Sequence, residues 1–381
     1  MKKFRSITDY MTWRGDLSLQ QDPFNEVDSV ILGMASFIDF AGIVPPPGTP
    51  GTVRFDAAMA RYMAELDGER AHFGVIIPDQ TLDLAKQASE CPRYADAELF
   101  AYENVVDETK EMQFAAVTFR LSDGSMFVSF RGTDDTIVGW KEDFNMYFQD
   151  SVPAQERAAA YLNCVAGQYP DKIRTGGHSK GGNLAIWSVV HAAPEVQARL
   201  IQAYSNDGPG FNHAMLRSPA YLAVRDRCMT YVPQSSLVGM LMEPADNVKI
   251  IYSTQTGLLQ HDPFSWDVER NHYNYLPERS AFGEHNDAAL RLWVDSMTEE
   301  EQRALIGDLF EVLESSGAKT LTEMDNNKRK AFSAMRKTIQ GYDRERRKRI
   351  NRLVGRLISA QITVALPENI TAGAAEFKSK L

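Results

Sequence analysis

The sequence predicts an α/β fold in which a mostly parallel sheet is covered by helices on both faces. Apolar alternation at 112–120 and 125–131 marks two strands, and Ser122-Asp123-Gly124 between them is a hairpin turn. Further strands at 200–206, 228–232 and 248–253 alternate with helical segments, the order that builds a covered sheet. A short strand at 173–177 leads through a glycine-rich turn into an apolar, proline-free helix at 182–193.

Taken in order, residues 25–40 place apolar side chains at helical spacing, with Asn25 or Asp28 able to cap the start. A proline-rich loop spans 44–51, and short helices are expected at 55–66 and 81–88. The first third is therefore expected to be mostly helical, and it could serve as a lid. An alanine-rich helix at 154–166 precedes the strand at 173–177. Near the end, Thr298 and Glu301 form a capping box that opens a helix with the stripe Leu305, Ile306, Leu309, Phe310 and Leu313. Phe332, Met335, Ile339 and Tyr342 continue the pattern until Arg346 and Arg349 interrupt it. The expected organisation is a domain over 1–295 that includes a helical or lid region over about 1–100, a basic helical appendage over 296–365, and a flexible tail over 366–381.

With 381 residues, 44% hydrophobic and 24% charged, the chain has the make-up of a soluble globular protein. Its formal net charge of -10 is unevenly spread. Residues 328–356 hold twelve Lys or Arg against Asp343 and Glu345, a local +10 that leaves -20 on the remainder. This basic stretch is a candidate for peripheral contact with an anionic membrane, and a solvated face against the acidic body is the simpler reading. No nucleic-acid partner is expected. Cys91, Cys164 and Cys228 lack metal-ligand spacing and read as buried free thiols in a reducing, cytoplasmic setting. Residues 6–16 offer no apolar signal core, and no stretch is long enough to span a bilayer. Ser379-Lys380-Leu381 matches a peroxisomal address, which matters only in a eukaryote.

The chemistry centres on Gly177-His178-Ser179-Lys180-Gly181, which fits the Gly-x-Ser-x-Gly turn that presents a nucleophilic serine between strand and helix. A serine hydroxyl needs an imidazole to take its proton and a carboxylate to orient that imidazole. In this architecture both partners follow the serine, acid first. His261, in the loop after 248–253, fits best among seven histidines; His72, His178, His191, His213, His272 and His285 fit less well. Asp207 opens Asp207-Gly208-Pro209-Gly210-Phe211 at a strand's carboxyl end, where active-site loops gather. Asp262 is its nearest rival. The Lys180 amide is one expected oxyanion donor, and a second is expected from 130–135.

Val128-Ser129-Phe130-Arg131-Gly132-Thr133, then Trp140 and Asp143, then Gly177-His178-Ser179-Lys180-Gly181-Gly182 with Leu184-Ala185, together resemble the class 3 lipase branch of the α/β-hydrolases. More closely, the chain resembles a bacterial family of lipase-like hydrolases. That likeness rests on Asp9-Tyr10-Met11-Thr12-Trp13-Arg14-Gly15-Asp16, Pro23-Phe24-Asn25-Glu26-Val27-Asp28, the turn at 207–211, and Gln260-His261-Asp262-Pro263-Phe264-Ser265-Trp266. Ordered motifs cover roughly residues 5 to 290. The resemblance implies an α/β-hydrolase fold, Thr133 as the oxyanion residue, and Ser179 and His261 as nucleophile and base. Two departures stand out. Lys180 replaces the leucine that class 3 lipases carry, which is expected to make the mouth of the site more polar. Their acid follows the next strand, where this chain reads Tyr231-Val232-Pro233-Gln234-Ser235-Ser236-Leu237-Val238 without a carboxylate.

The expectation is an esterase acting on carboxylic esters, lipid or lysolipid-like, through an acyl-Ser179 intermediate, with no metal or cofactor. Acyl transfer or thioester cleavage would use the same triad, and a catalytically silent binding protein would keep the fold. The run 237–242 could wall an acyl pocket, though such runs more often belong to the core.

Overall fold

The computed structural model describes residues 5–67, 73–74, 77–147 and 149–365. His72 and the tail expected over 366–381, with Ser379-Lys380-Leu381, lie outside the described residues. The chain divides into two compact units, one of Met1–Glu278 with Thr320–Thr322 and the other of Arg279–Lys319 with Glu323–Leu381. Residues 279–295, which the sequence places with the sheet domain, thus group with the second unit.

The first unit is built on a nine-stranded sheet. Its strands are β1 (Val53–Arg54), β2 (Glu98–Asp107), β3 (Met112–Arg120), β4 (Ser125–Phe130), β5 (Lys172–His178), β6 (Leu200–Asn206), β7 (Cys228–Pro233) and β8 (Val248–Ile251). A separate ribbon pairs β9 (Val268–Glu269) with β10 (His272–Tyr273), and β11 (Tyr275–Leu276) closes the large sheet beside β8. Strands β4 to β8 run parallel. The flanking pairs β1–β2, β2–β3, β3–β4 and β8–β11 are antiparallel.

Period-two alternation sends successive side chains to opposite faces of a strand. Val117, Phe119 and Phe127 join one apolar core with α1 (Ile7–Arg14), α2 (Glu26–Ala35), α3 (Phe55–Glu65) and α4 (Gln80–Glu90). Phe114, Ala116, Met126, Val128 and Phe130 join a second core. There they meet α6 (Pro153–Gln168) and α7 (Lys180–Val190), which follow α5 (Ile137–Asn145) in the chain. Short helices α8 (Pro194–Gln197), α9 (His213–Leu216) and α10 (Pro219–Val224) complete this side of the sequence. The sheet is covered on both faces, and the fold is that of an α/β-hydrolase.

Two local expectations change. The first third is not only helical, because β2 begins at Glu98. Its alternation is broken by a register shift between Phe100 and Glu103, where Ala101 takes a φ of 57°. A bulge of this kind puts neighbouring residues out of phase and hides a strand from a period-two search. Helix α2 stops at Ala35, and every residue from Val27 to Ala35 is buried. The cysteines also divide: Cys228 is buried, Cys91 is half-buried and Cys164 is exposed, all three as free thiols.

The second unit is helical, with α11 (Ala281–Asp295), α12 (Glu299–Glu314), α14 (Lys328–Gly341) and α15 (Arg344–Ala365). Between them α13 (Leu321–Asn326) spans the point where Thr320–Thr322 group with the first unit. Thr298 and Glu301 form the expected capping box on α12.

Candidate active site

Ser179 stands between β5 and α7 with φ 59° and ψ -132°, a backbone conformation that costs free energy for any side chain but glycine. The turn is possible because its flanks are bare. A Cβ on Gly177 would come within 2.3 Å of Phe130 O, and one on Gly181 within 2.1 Å of the same atom. The strand and helix therefore meet at van der Waals limits, and the serine is pushed out beyond the sheet.

Asp207 follows β6 in a left-handed conformation, φ 53°, and its amide donates to Tyr231 O at 2.8 Å. Its carboxylate is fully buried, with both oxygens engaged. Oδ2 lies 2.6 Å from His261 Nδ1, and Oδ1 accepts from Ser236 Oγ at 2.6 Å. Ser236 itself accepts from Gly239 N at 3.1 Å. Residues 234–238, directly after β7 and without a carboxylate, thus supply the hydroxyl that steadies the Asp207 carboxylate after β6. Sequence reasoning missed Ser236, and a serine among serines gives no local signal.

His261 ends a 3-10 turn, Gly257–His261, after β8. Its side chain is 20% exposed, so one ring edge reaches solvent. The loop is fastened from below: Trp266 Nε1 donates to Gln260 O at 2.7 Å, and the buried Gln260 accepts from Ser235 N at 2.7 Å. The His261 ring packs on His178 with centroids 4.4 Å apart, and a 2.7 Å hydrogen bond joins His178 Nε2 to His261 O. Burial, and then the neighbouring His261, hold His178 well below the usual histidine range, so it stays neutral and donates from Nε2. His261 is thereby brought beside the residue that precedes Ser179. Among the described residues no hydrogen bond joins Ser179 Oγ to His261; such bonds often tighten only once substrate is present. Asp262 instead accepts from Phe264 N at 3.0 Å as a turn former.

Thr133 lies in the loop after β4, next to Gly132, whose Cα faces the Ser179 turn closely enough that a Cβ would be 2.6 Å from His178 O and 3.3 Å from Ser179 Cβ. The Thr133 hydroxyl donates to Asp143 on α5. Among the described residues the Thr133 and Lys180 amides have no hydrogen-bond partner. The Lys180 side chain departs from expectation. It does not reach the mouth of the site but turns inward, 1% exposed, to Glu142 Oε2 at 3.1 Å.

Thr133, Ser179, Asp207 and His261 lie in the loops that follow β4, β5, β6 and β8, at the carboxyl ends of the parallel strands where such a sheet leaves its crevice. On this α/β-hydrolase fold a serine with strained backbone thus stands at a strand-to-helix turn, and a hydrogen-bonded aspartate and histidine come from the loops after later strands. The chain belongs to the Mbeg1-like family, whose model matches residues 88–311. No curated protein matches it. Among solved structures, Rhizomucor miehei lipase in its propeptide complex is 15% identical, covering 53% of this chain and 67% of its own, with a TM-score of 0.32. A Penicillium expansum triacylglycerol lipase is 13% identical over 49% of this chain and 84% of its own, TM-score 0.30. M37 lipase is 12% identical over 62% of this chain and 70% of its own, TM-score 0.34. At such distances the likeness assigns no activity or residue to this chain.

Proposed function

We propose that the chain is a lipase-like serine esterase that cleaves carboxylic esters through an acyl-Ser179 intermediate. The observation that carries this reading is the 2.6 Å His261–Asp207 hydrogen bond beside a serine with φ 59°. In the first step Ser179 Oγ attacks the ester carbonyl carbon while His261 Nε2 takes its proton. The fully buried Asp207 holds the ring by Nδ1 and stabilises the imidazolium. The carbonyl oxygen, now negative, accepts from the Thr133 and Lys180 amides, and each such donor is worth roughly 3 kcal/mol in the transition state. Collapse breaks the ester C–O bond, and His261 returns the proton to the departing alcohol. Water then attacks the acyl-enzyme with His261 as base, releasing the acid and restoring Ser179. Within the run 237–242, Met242 packs against the second apolar core.

Labelling with a fluorophosphonate probe tests the reading. Wild type should label and Ser179→Ala should not, with ester turnover lost in parallel. Equal labelling of both, or no labelling and no turnover in the wild type, would sink it.

The basic stretch has a partner of its own in this proposal, an anionic lipid surface, and α14 is the part that carries unpaired cations together with the exposed Phe332 and Ile339. On α15, Arg346 and Arg349 pair with Asp308, and Arg352 and Arg356 pair with Glu301, all within the second unit. On α14, Arg329, Lys330, Arg336 and Lys337 have no ion-pair partner among the described residues.

A further inference from the structure

Lys180 follows the nucleophile directly, yet its ammonium faces away from any substrate. Nζ donates to Gln113 O at 2.9 Å, to Gln113 Oε1 at 2.7 Å and to Glu142 Oε2 at 3.1 Å, so its three protons are all used. Asp143 Oδ1 lies 3.7 Å away. Glu142 is fully buried and accepts further from Gln113 N at 3.0 Å and Ala154 N at 2.8 Å. One carboxylate thus joins β3, the start of α6 and the start of α7 to α5. The neighbouring carboxylate, Asp143, takes the Thr133 hydroxyl proton. Adjacent carboxylates, Glu142 fully buried and Asp143 half-buried, repel each other and lose hydration, and a cation between them and the Ser179 turn offsets both penalties.

We propose that the Lys180 side chain is a positioning residue of this site: it fastens the Glu142–Asp143 pair to the nucleophile's turn and, through Asp143, holds the Thr133 loop where an oxyanion forms. The proposal rests on the esterase reading and deepens it. Because the Thr133 hydroxyl gives its single proton to Asp143, the Thr133 amide is the donor left for the oxyanion. Its position then depends on how firmly Asp143 is held.

Charge supports the geometry. Burial pushes the Asp143 carboxyl up to about 6, Glu142 and Asp134 add to the push, and Lys180 with the Thr133 hydroxyl bond pulls against it. Above that pH Asp143 is ionised and accepts from Thr133. Removing the Lys180 cation removes the larger of these two pulls, so the Asp143 carboxyl must move further up. The acid limb of the activity profile then moves to higher pH.

The test uses the full chain and a short-chain p-nitrophenyl ester, comparing wild type, Lys180→Met and the charge-balanced pair Lys180→Met/Glu142→Gln, which leaves no lone buried glutamate if the single variant folds poorly. Both variants should lose on the order of a hundredfold in kcat, the scale of one oxyanion donor, with KM little changed. The acid limb should shift to higher pH in Lys180→Met and by less in the pair, which also loses the Glu142 push, while fluorophosphonate still labels Ser179 at a reduced rate. If wild type turns over the ester and either folded variant keeps its kcat and pH profile, the inference fails alone. A wild type that neither labels nor turns over ester brings down the inference and the esterase reading together.

Discussion

At the scale of single residues, the site turns on how a carboxylate is held. Asp207 Oδ2 faces His261, but Oδ1 faces Ser236, and a hydrogen bond to a charged group in a buried setting contributes about 1.5–3 kcal/mol. Ser236→Ala should therefore lower kcat by about tenfold or more while KM stays near wild type, because the aspartate gains freedom to turn from the ring. Steady-state kinetics beside Asp207→Asn would decide it; a Ser236→Ala enzyme with unchanged kcat, when Asp207→Asn is crippled, would reduce Ser236 to packing. That Asp207 after β6 and His261 after β8 lie within hydrogen-bond reach was legible in the chain order, because loops after parallel strands gather at one edge of the sheet. The direction of the Lys180 side chain was not. A lysine beside a nucleophile reads as polar decoration until the fold brings Gln113 and Glu142, distant in sequence, around its ammonium. Ser236 was hidden for the same reason, since its partner lies 29 residues away.

At the scale of elements, the first α-helices are fixed to one another and to the segment between α4 and β2 by a polar knot inside an apolar core. Asp28, at the third position of α2, closes the capping box with Asn25 and takes a two-pronged ion pair from Arg93, Nε to Oδ1 at 2.7 Å and Nη2 to Oδ2 at 2.5 Å. Tyr10 donates to the same carboxylate at 3.0 Å and Tyr94 donates as well. Burial and the Asp28 charge push both phenols well up, so they remain donors at any physiological pH. Removing one partner of such a pair strands the other without water, which costs about 3–5 kcal/mol. Arg93→Met is expected to lose that much in equilibrium urea unfolding, and Arg93→Met/Asp28→Asn distinctly less. If the double variant is no more stable than the single one, the charge is not what matters there. The cap at Asn25 was readable from three residues of sequence, whereas the Arg93 partnership spans 65 positions and has no local signature. Strand β2 was lost differently: its bulge at 100–103 breaks the alternation by which β3 and β4 announce themselves.

At the scale of the whole molecule, charge is sorted as much as it is counted. The excess of cations at 328–356 looked uniform in the sequence, but folding separates it into two populations. On α15, Arg346, Arg349, Arg352 and Arg356 are matched to Asp308, Glu311 and Glu301 within the second unit, while Arg344, Arg347 and Lys348 have no ion-pair partner among the described residues. On α14 Lys328 pairs with Asp325, and the unpaired Arg329, Lys330, Arg336 and Lys337 accompany Phe332 and Ile339, which are 66% and 45% exposed, seven positions apart and so on one helix face. Among the described residues no helix is long and apolar enough to cross a membrane, so a lipid contact made here would lie along the surface. Exposed apolar side chains beside unpaired cations bind an anionic bilayer by burying the former in the headgroup boundary and attracting the latter, with each cation near the surface contributing about 1 kcal/mol. The full chain should accordingly co-sediment with vesicles containing phosphatidylserine and not with pure phosphatidylcholine, and added salt should release it. Arg336→Gln/Lys337→Gln should weaken the partition by about tenfold to a hundredfold at that scale. Phe332→Ser/Ile339→Ser should weaken it at every salt concentration, because the apolar part is not screened. Binding that is equal on neutral and anionic vesicles, or that survives both pairs of substitutions, would leave the α14 cations as a solvated face and remove the lipid surface as their partner.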